Sequence, residues 1–484
     1  MENTQVADNP LAQRYASKEM ARVWSPQSRY STWRKLWLAL AQSQLELGLM
    51  EENGTGARIK PEQIRQMEYH LEDIDFQKVE GYETRLRHDV MAHIHAFADQ
   101  CPLAKDIIHL GATSCYVTDN TDLILMKEGL QLIQRSLVGL LDTLARFARG
   151  NAKVETLGFT HFQPAQLTTV GKRACLWTQD FLMDFWEISH RLDGLRFRGA
   201  KGTTGTQASF LALFKGDHEK VKALDQVVTE KMGFSKAFPV TGQTYPRKAD
   251  SQILDSLSGI GQSAMKFGND IRLLAHRQEV DEPFEEEQVG SSAMAYKRNP
   301  MRSERMCGLS RFLIQLTGNA AQTAGAQWLE RTLDDSVNRR LTIPQSFLCA
   351  DAILKLAINI SKGLVVNPEV IQGEINRALP FMATENILMA AVSQGGDRQV
   401  LHEVIRKHSH QMQKELKSGS RTNDLLERLK KEPGLSQVDF AKVMATGCFS
   451  GRAASQVEEF LTQEVDPILV AHSQWRNQTA TIRV

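Results

Sequence analysis

The run "TDNTDLILMKEGLQLIQRSLVGLLDTLARFARG" limits the fold more than any other part of the chain. Leu123, Met126, Leu130, Ile133, Leu137, Leu140, Leu144 and Phe147 recur at alternating steps of three and four. An α-helix sets such positions on one face, and this seam extends over about 25 residues, roughly 37 Å. Asp119 or Asn120 is expected to cap its start and Gly150 to end it. Ile124, Leu125, Leu132, Val138 and Leu141 widen the apolar face beyond one stripe. A helix of this kind must be covered on more than one side, which points to packing between subunits as well as within one.

A second seam runs through Ala174, Trp177, Phe181, Phe185, Ile188, Leu192 and Leu195, and a third through Ile253, Leu257, Ile260, Ala264, Phe267, Ile271 and Leu274. Further helices are expected over Met306–Leu329 and Pro344–Leu364. These five make a bundle, and the β-strand signal is thin, so the fold class is all-α. Shorter helices flank the bundle. The expected division is an N-terminal helical domain at 1–113, a central long-helix domain at 114–366 and a C-terminal helical domain at 367–484.

Basic and acidic residues number 58 and 57, a net charge of +1, so no global field favours nucleic acid or membrane. An anionic ligand would have to be held by local cations. Cys101, Cys115, Cys175, Cys307, Cys349 and Cys448 are scattered without a C-x-x-C pair, which argues for a reducing compartment and against a zinc site. The first residues, "MENTQVADNPLAQRYAS", carry no apolar leader, and a cytoplasmic protein is expected.

Several helix joins carry dense chemistry instead of bland polar loops. "TRLRHDVMAHIHAF" holds Arg85, Arg87, His88, Asp89, His93 and His95, and "HLGATSCYVTDN" holds His109, Thr113 and Ser114. The three histidines 88, 93 and 95 do not share one helical face, which speaks against a metal site. His93 and His95 suit core or helix-surface positions. His88, flanked by Arg87 and Asp89, is better placed to act. "LGFTHFQPAQLTTVGKR" sets Thr160 and His161 in a context that reads as lying just before a helix. "KGTTGTQASF" lacks the Lys-Ser/Thr ending of a phosphate-binding P-loop. "QWLERTLDDSVNRR" can be read as a solvated charged face, with Asp334 and Asp335 pairing some of its arginines.

The stretch "VGSSAMAYKRNPMRSER" puts two serines on a glycine, followed by Lys297, Arg298 and Asn299. Lys297 lies six residues after Ser291 and no G-x-S-x-G elbow exists, so a nucleophilic serine is disfavoured. A serine acting as a base needs its alkoxide stabilised by cations and backbone N–H groups, which Gly290, Lys297, Arg298 and Asn299 are expected to supply.

Taken together, "GSSAMAYKRNP", "GFTHFQPAQ" and "HLGATS" resemble the signature segments of the fumarase/aspartase superfamily. "RYAS", "TRLRHDVMAH", "GATSCYVTDNTDL", "KRNPMRSER" and "ERTLDDSVNRR" are similar, within it, to the eukaryotic-type adenylosuccinate lyases. The resemblance implies a three-domain all-α chain whose long helices assemble into a homotetrameric core with shared active sites. It also implies release of fumarate from succinyl-AMP and from the succinylaminoimidazole-carboxamide ribotide, two steps of purine synthesis. By the same resemblance Ser291 is the base, His161 the acid, Lys297 stabilises the dianionic intermediate, and His88 orients the substrate. Arg14, Tyr15, Arg87, Asp89, Thr113, Ser114, Thr160, Gln243, Arg305, Arg331, Ser336 and Arg340 match substrate-holding positions. No cofactor or metal is implied, because the substrate's own carboxylate is the electron sink. Purine nucleotides are the implied ligands, with no nucleic-acid or membrane partner. Argininosuccinate lyases have Gln-Lys-Lys-Asn where this chain has Tyr-Lys-Arg-Asn, and a catalytically dead structural relative would lack some of these residues. One departure stands out: the family usually has proline where this chain has Ala295.

Overall fold

The computed structural model describes residues 9–444 and 449–482. Cys448 lies outside the described residues. The chain is all-α. Its principal helices are α1 (Pro26–Glu46), α2 (Asp89–Gln100) and α3 (Ser114–Gly150), followed by a hairpin of β1 (Glu155–Thr160) and β2 (Gln163–Thr169). Then come α4 (Val170–Gly194), α5 (Lys248–His276), α6 (Met301–Gly325), α7 (Asp335–Lys362), α8 (Pro368–Ser393) and α9 (Arg398–Lys417).

The five long helices α3 to α7 are the bundle that the seams predict. Helix α5 packs along α6 and α4, while α7 packs along α3 and α6. Every seam residue of α3 up to Leu144 is fully buried. So are Leu125, Val138 and Leu141 on its flanks, covered within the chain itself. Trp177 and Phe181 of α4 meet Phe267 of α5, with ring centroids 5.1 and 6.3 Å apart. Full burial of a phenylalanine-sized side chain contributes about 1.5–3 kcal/mol, so such contacts dominate the bundle's cohesion. A separate apolar cluster in the C-terminal third is built from Ile387, Leu401, Met412, Leu425 and Leu435, among others.

Three helix starts differ from expectation. Helix α3 starts at Ser114, so Asp119 and Asn120 sit inside it as buried residues and cap nothing. Helix α6 starts at Met301, earlier than the apolar pattern indicates, because Glu282 accepts hydrogen bonds from the N–H groups of Arg302 (2.8 Å) and Ser303 (2.9 Å). Its carboxylate satisfies donors that a helix start leaves orphaned. Helix α7 starts at Asp335, with Pro344 inside it. A proline there removes one hydrogen bond, and ion pairs at the helix start hold the preceding turns in place. The most apolar window of α7 has a mean hydropathy of 1.4, yet 78% of it is buried, as in a core helix of a bundle.

Candidate active site

Beneath the first turns of α7 lies a buried ionic network. Arg247 donates from Nη1 and Nη2 to Asp119 (2.9 and 3.1 Å) and from Nε to Asp335 (2.7 Å). Asp335 also accepts from Arg331 at 3.1 Å. One helical turn along, Arg339 pairs with Asp122 (3.0 Å) and Asp250 (2.7 Å), and Asp122 also meets Arg29 (2.9 Å). Burial works against the charge on Arg247, but Asp119 and its neighbours outweigh it and hold its pKa above the ordinary value. Burial likewise opposes ionisation of Asp122, and Arg29 and Arg339 reverse the balance, so its pKa is lowered. These pairs are bidentate or shared, the geometry in which desolvated charges are best compensated. They fix the start of α7 against α3 and α5. The "LDDSVNRR" run is therefore only partly a solvated face: Arg340 is exposed, while Asp335 and Arg339 are core.

That anchored end of α7 presents two groups of the expected residues. In one, Arg340 donates to Asp89 at 2.9 Å. His88 caps α2, its Nδ1 accepting from the Met91 N–H at 3.4 Å, and Arg87 precedes it in left-handed backbone (φ 55°). With Nδ1 an acceptor, the neutral ring carries its proton on Nε2. In the other group, the Gln243 N–H donates to the Glu330 carbonyl (3.0 Å), next to Arg331. The Gln243 side-chain oxygen accepts from the thiol of Cys115 (3.5 Å), just inside the Thr113–Ser114 start of α3. The "KGTTGT" loop braces this group. Gly205 has φ +82°, and a Cβ there would lie 1.8 Å from the Thr241 carbonyl oxygen.

Ser291 and His161 lie on other elements. Ser291 is half-buried in the segment between Glu282 and α6, and its Oγ accepts from the N–H groups of Ala293 (3.3 Å) and Met294 (3.1 Å). The expected stabilisers differ: Arg298 lies over the Phe284 ring (5.1 Å), and Asn299 donates to the Gly290 carbonyl (2.8 Å). Lys297 is exposed. Arg305, on the second turn of α6, has a buried Nη1 without a hydrogen-bond partner among the described residues. His161 does not directly precede a helix. It occupies the tip of the hairpin beside Thr160, with all of β2 between it and α4. Its φ is 50° and that of Phe162 is 57°. Among the described residues, no hydrogen bond or ion pair joins His161 or Ser291 to the α7 groups.

Arg14 and Tyr15 sit elsewhere again. The Tyr15 carbonyl accepts from Lys355 (3.2 Å), fifteen positions beyond Arg340 and about 22 Å farther along α7. His93 is core, stacked on Tyr30 at 3.9 Å, and burial lowers its pKa to about 4. His95 stacks on Tyr82 at 5.3 Å. The sequence reading takes Asp119 only as a candidate cap and Arg339 only as part of a charged face, and it does not mark Asp122 or Arg247. The available signal was two aspartates three apart on an otherwise apolar helix face.

Ala295 is the second residue of a turn closed by the Lys297 N–H on the Met294 carbonyl (3.0 Å). Proline suits that position in the common β-turns, since its φ is preset. Ala295→Pro should therefore keep or raise kcat and stabilise the protein by about 0.4–1 kcal/mol. A large loss of turnover in that variant would show that the segment needs the freedom alanine gives it.

Comparison with known proteins places this architecture. A lyase family profile matches residues 19–314, and a profile described as the adenylosuccinate lyase C-terminus matches 380–460. The adenylosuccinate lyase of Saccharomyces cerevisiae is 50% identical over 97% of this chain and 96% of its own length. That of Schistosoma mansoni is 47% identical over 95% of each. A fumarate lyase from Mesorhizobium sp. BNC1 superposes with a TM-score of 0.79 over 93% of this chain and 99% of its own, at 19% identity. A 3-carboxy-cis,cis-muconate lactonizing enzyme from Pseudomonas putida does so with a TM-score of 0.79 over 95% and 99%, at 20% identity. The last two speak for the fold alone. With half its residues shared along nearly its whole length, the chain belongs to the adenylosuccinate lyase family of the fumarase/aspartase superfamily.

Proposed function

We propose that this chain removes fumarate from succinyl-AMP, leaving AMP, and from the succinylaminoimidazole-carboxamide ribotide, with Ser291 as base and His161 as acid. Ser291 takes the proton from the carbon next to a succinyl carboxylate. The electron pair spreads onto that carboxylate as a dianion. The C–N bond then breaks, and the leaving nitrogen receives a proton from His161. The main difficulty is the weakly acidic C–H, so donors aimed at the dianion lower the barrier most.

The observation that carries the base assignment is the pair of backbone N–H groups on Ser291 Oγ. They stabilise the alkoxide as an oxyanion hole would. Lys297, on the same exposed segment, supplies positive charge near the dianion. The unpartnered Nη1 of Arg305 supports a role in holding a substrate anion. His88, with Asp89 and Arg87, orients the substrate. Arg331, Ser336, Arg340, Gln243, Thr113, Ser114 and Thr160 complete its cradle, together with Arg14 and Tyr15. Guanidinium forks suit the phosphate and carboxylates of this substrate.

The proposed site is shared between subunits of a homotetramer. The spread of these residues over separate ends of one chain supports that reading. So do large apolar side chains left exposed on the bundle, such as Met183 and Trp186 of α4 and Leu341 of α7. The described cysteines are all free and buried, in keeping with a cytoplasmic enzyme. A spectrophotometric assay tests the substrate assignment. Absorbance should fall with succinyl-AMP and stay constant with argininosuccinate. Turnover of argininosuccinate would overturn it.

A further inference from the structure

The segment that carries Ser291 leaves the bundle after Glu282 and rejoins it at α6. Both of its ends converge on one side chain. Arg302 is 1% exposed and sits in the first turn of α6. Its Nη2 donates to Glu285 (2.8 Å) and Gln288 (3.1 Å) on the outgoing stem. Its Nη1 donates to Asn359 of α7 (2.6 Å). Asn359 is itself oriented from the far side, its Nδ2 donating to the Ala480 carbonyl (3.2 Å). The C-terminal strip is held in turn by Asp142 of α3, which accepts from Arg476 and from the Asn477 N–H at 3.0 Å each.

We propose that Arg302 is a positioning residue for the reaction: it locks the outgoing stem of the Ser291 segment to α6 and so sets where the serine stands when substrate is bound. The inference rests on Ser291 being the base. Three features make Arg302 more than a packing residue. Between the stems the segment is exposed, with Tyr296 at 84% and Val289 at 73%. Its own internal ties are local: the two N–H groups on Ser291 Oγ, Asn299 on the Gly290 carbonyl and the turn at Met294–Lys297. The other anchor, Glu282, holds only the start of α6 and does not reach Glu285 or Gln288. The planar guanidinium meets three acceptors in fixed directions, which a lysine ammonium cannot reproduce. The arginine is buried while Glu285 is 71% exposed on its side chain, so the glutamate can swing away while Gln288 still holds the stem to Arg302.

The test uses the full-length enzyme. Arg302→Met, similar in length and without donors, should speed trypsin cleavage after Lys297 and Arg298 by at least about fivefold, reporting a loosened segment. On both substrates kcat should fall by about tenfold or more with KM within about threefold, because a misplaced base slows chemistry more than binding. Arg302→Lys should recover only part of the rate. The double variant Glu285→Ala/Gln288→Ala leaves Arg302 on Asn359 and keeps the helix start intact, so it guards against a folding defect. It should shift cleavage and kcat in the same direction. Unchanged cleavage in the double variant, or faster cleavage with unchanged kcat, would overturn the proposal. A fully active Ser291→Ala would instead overturn the base assignment, which separates the two failures.

Discussion

Ser291→Ala should cut turnover of succinyl-AMP by more than about 10²-fold, the lower range for losing a general base, while thermal melting and oligomeric state stay as in the parent. The side chain is half-buried and makes only local contacts, so its removal leaves the bundle untouched. What disappears is the oxygen on which two backbone N–H groups converge. Ser292, its neighbour, is exposed and receives no such pair among the described residues. Ser292→Ala should therefore retain near-parental kcat. Steady-state rates on both substrates decide the matter. Near-normal turnover by Ser291→Ala would remove it from the base role, and a large loss in Ser292→Ala alone would transfer that role to its neighbour.

The largest effect on stability is expected at Arg247. Arg247→Met removes the cation that Asp119 and Asp335 share, and both carboxylates are almost wholly buried. Breaking a buried pair by deleting one partner costs about 3–5 kcal/mol, because the remaining charge has no water to turn to. Here one carboxylate, Asp335, keeps Arg331 at 3.1 Å, and Asp119 keeps, among the described residues, only the Tyr245 N–H at 3.0 Å as a hydrogen-bond partner. Chemical denaturation should show the loss as a lower midpoint with an unchanged slope. A change below about 1 kcal/mol, the range of exposed pairs, would mean that the network is solvated. Activity should fall with stability, since Arg331 and Arg340 both extend from the helix end that Arg247 secures.

The long helices were legible because their apolar spacing is regular over many turns, and Leu123 to Leu144 fall where the seam puts them. Ends were less legible. Pro344 reads as a helix start, yet pairing at Asp335 carries α7 nine residues further back. The hairpin was missed for physical reasons too. Gly158 interrupts its alternation where the register shifts between Leu157 and Phe159, Pro164 stands inside β2, and the turn lacks the usual Asn-Gly. The ionic network escaped notice because its partners, such as Asp119 and Arg247, are more than a hundred residues apart. Motif reading singles out Ser291 and His161 as candidates but not the donors on the serine, Ala293 and Met294, which are main-chain groups invisible to residue type.

The tip of that hairpin has one more consequence. A two-residue connection with both residues at positive φ favours glycine and asparagine, and each bulky side chain held there costs about 1–2 kcal/mol. His161 and Phe162 are both bulky. An Asn-Gly pair at these positions would make a sturdier hairpin and, on the assignment above, an enzyme without its acid. Selection for thermal robustness alone would thus drift toward inactive sequences at this point. A stabilisation campaign on this protein should hold His161 and Phe162 constant and look for its gains elsewhere.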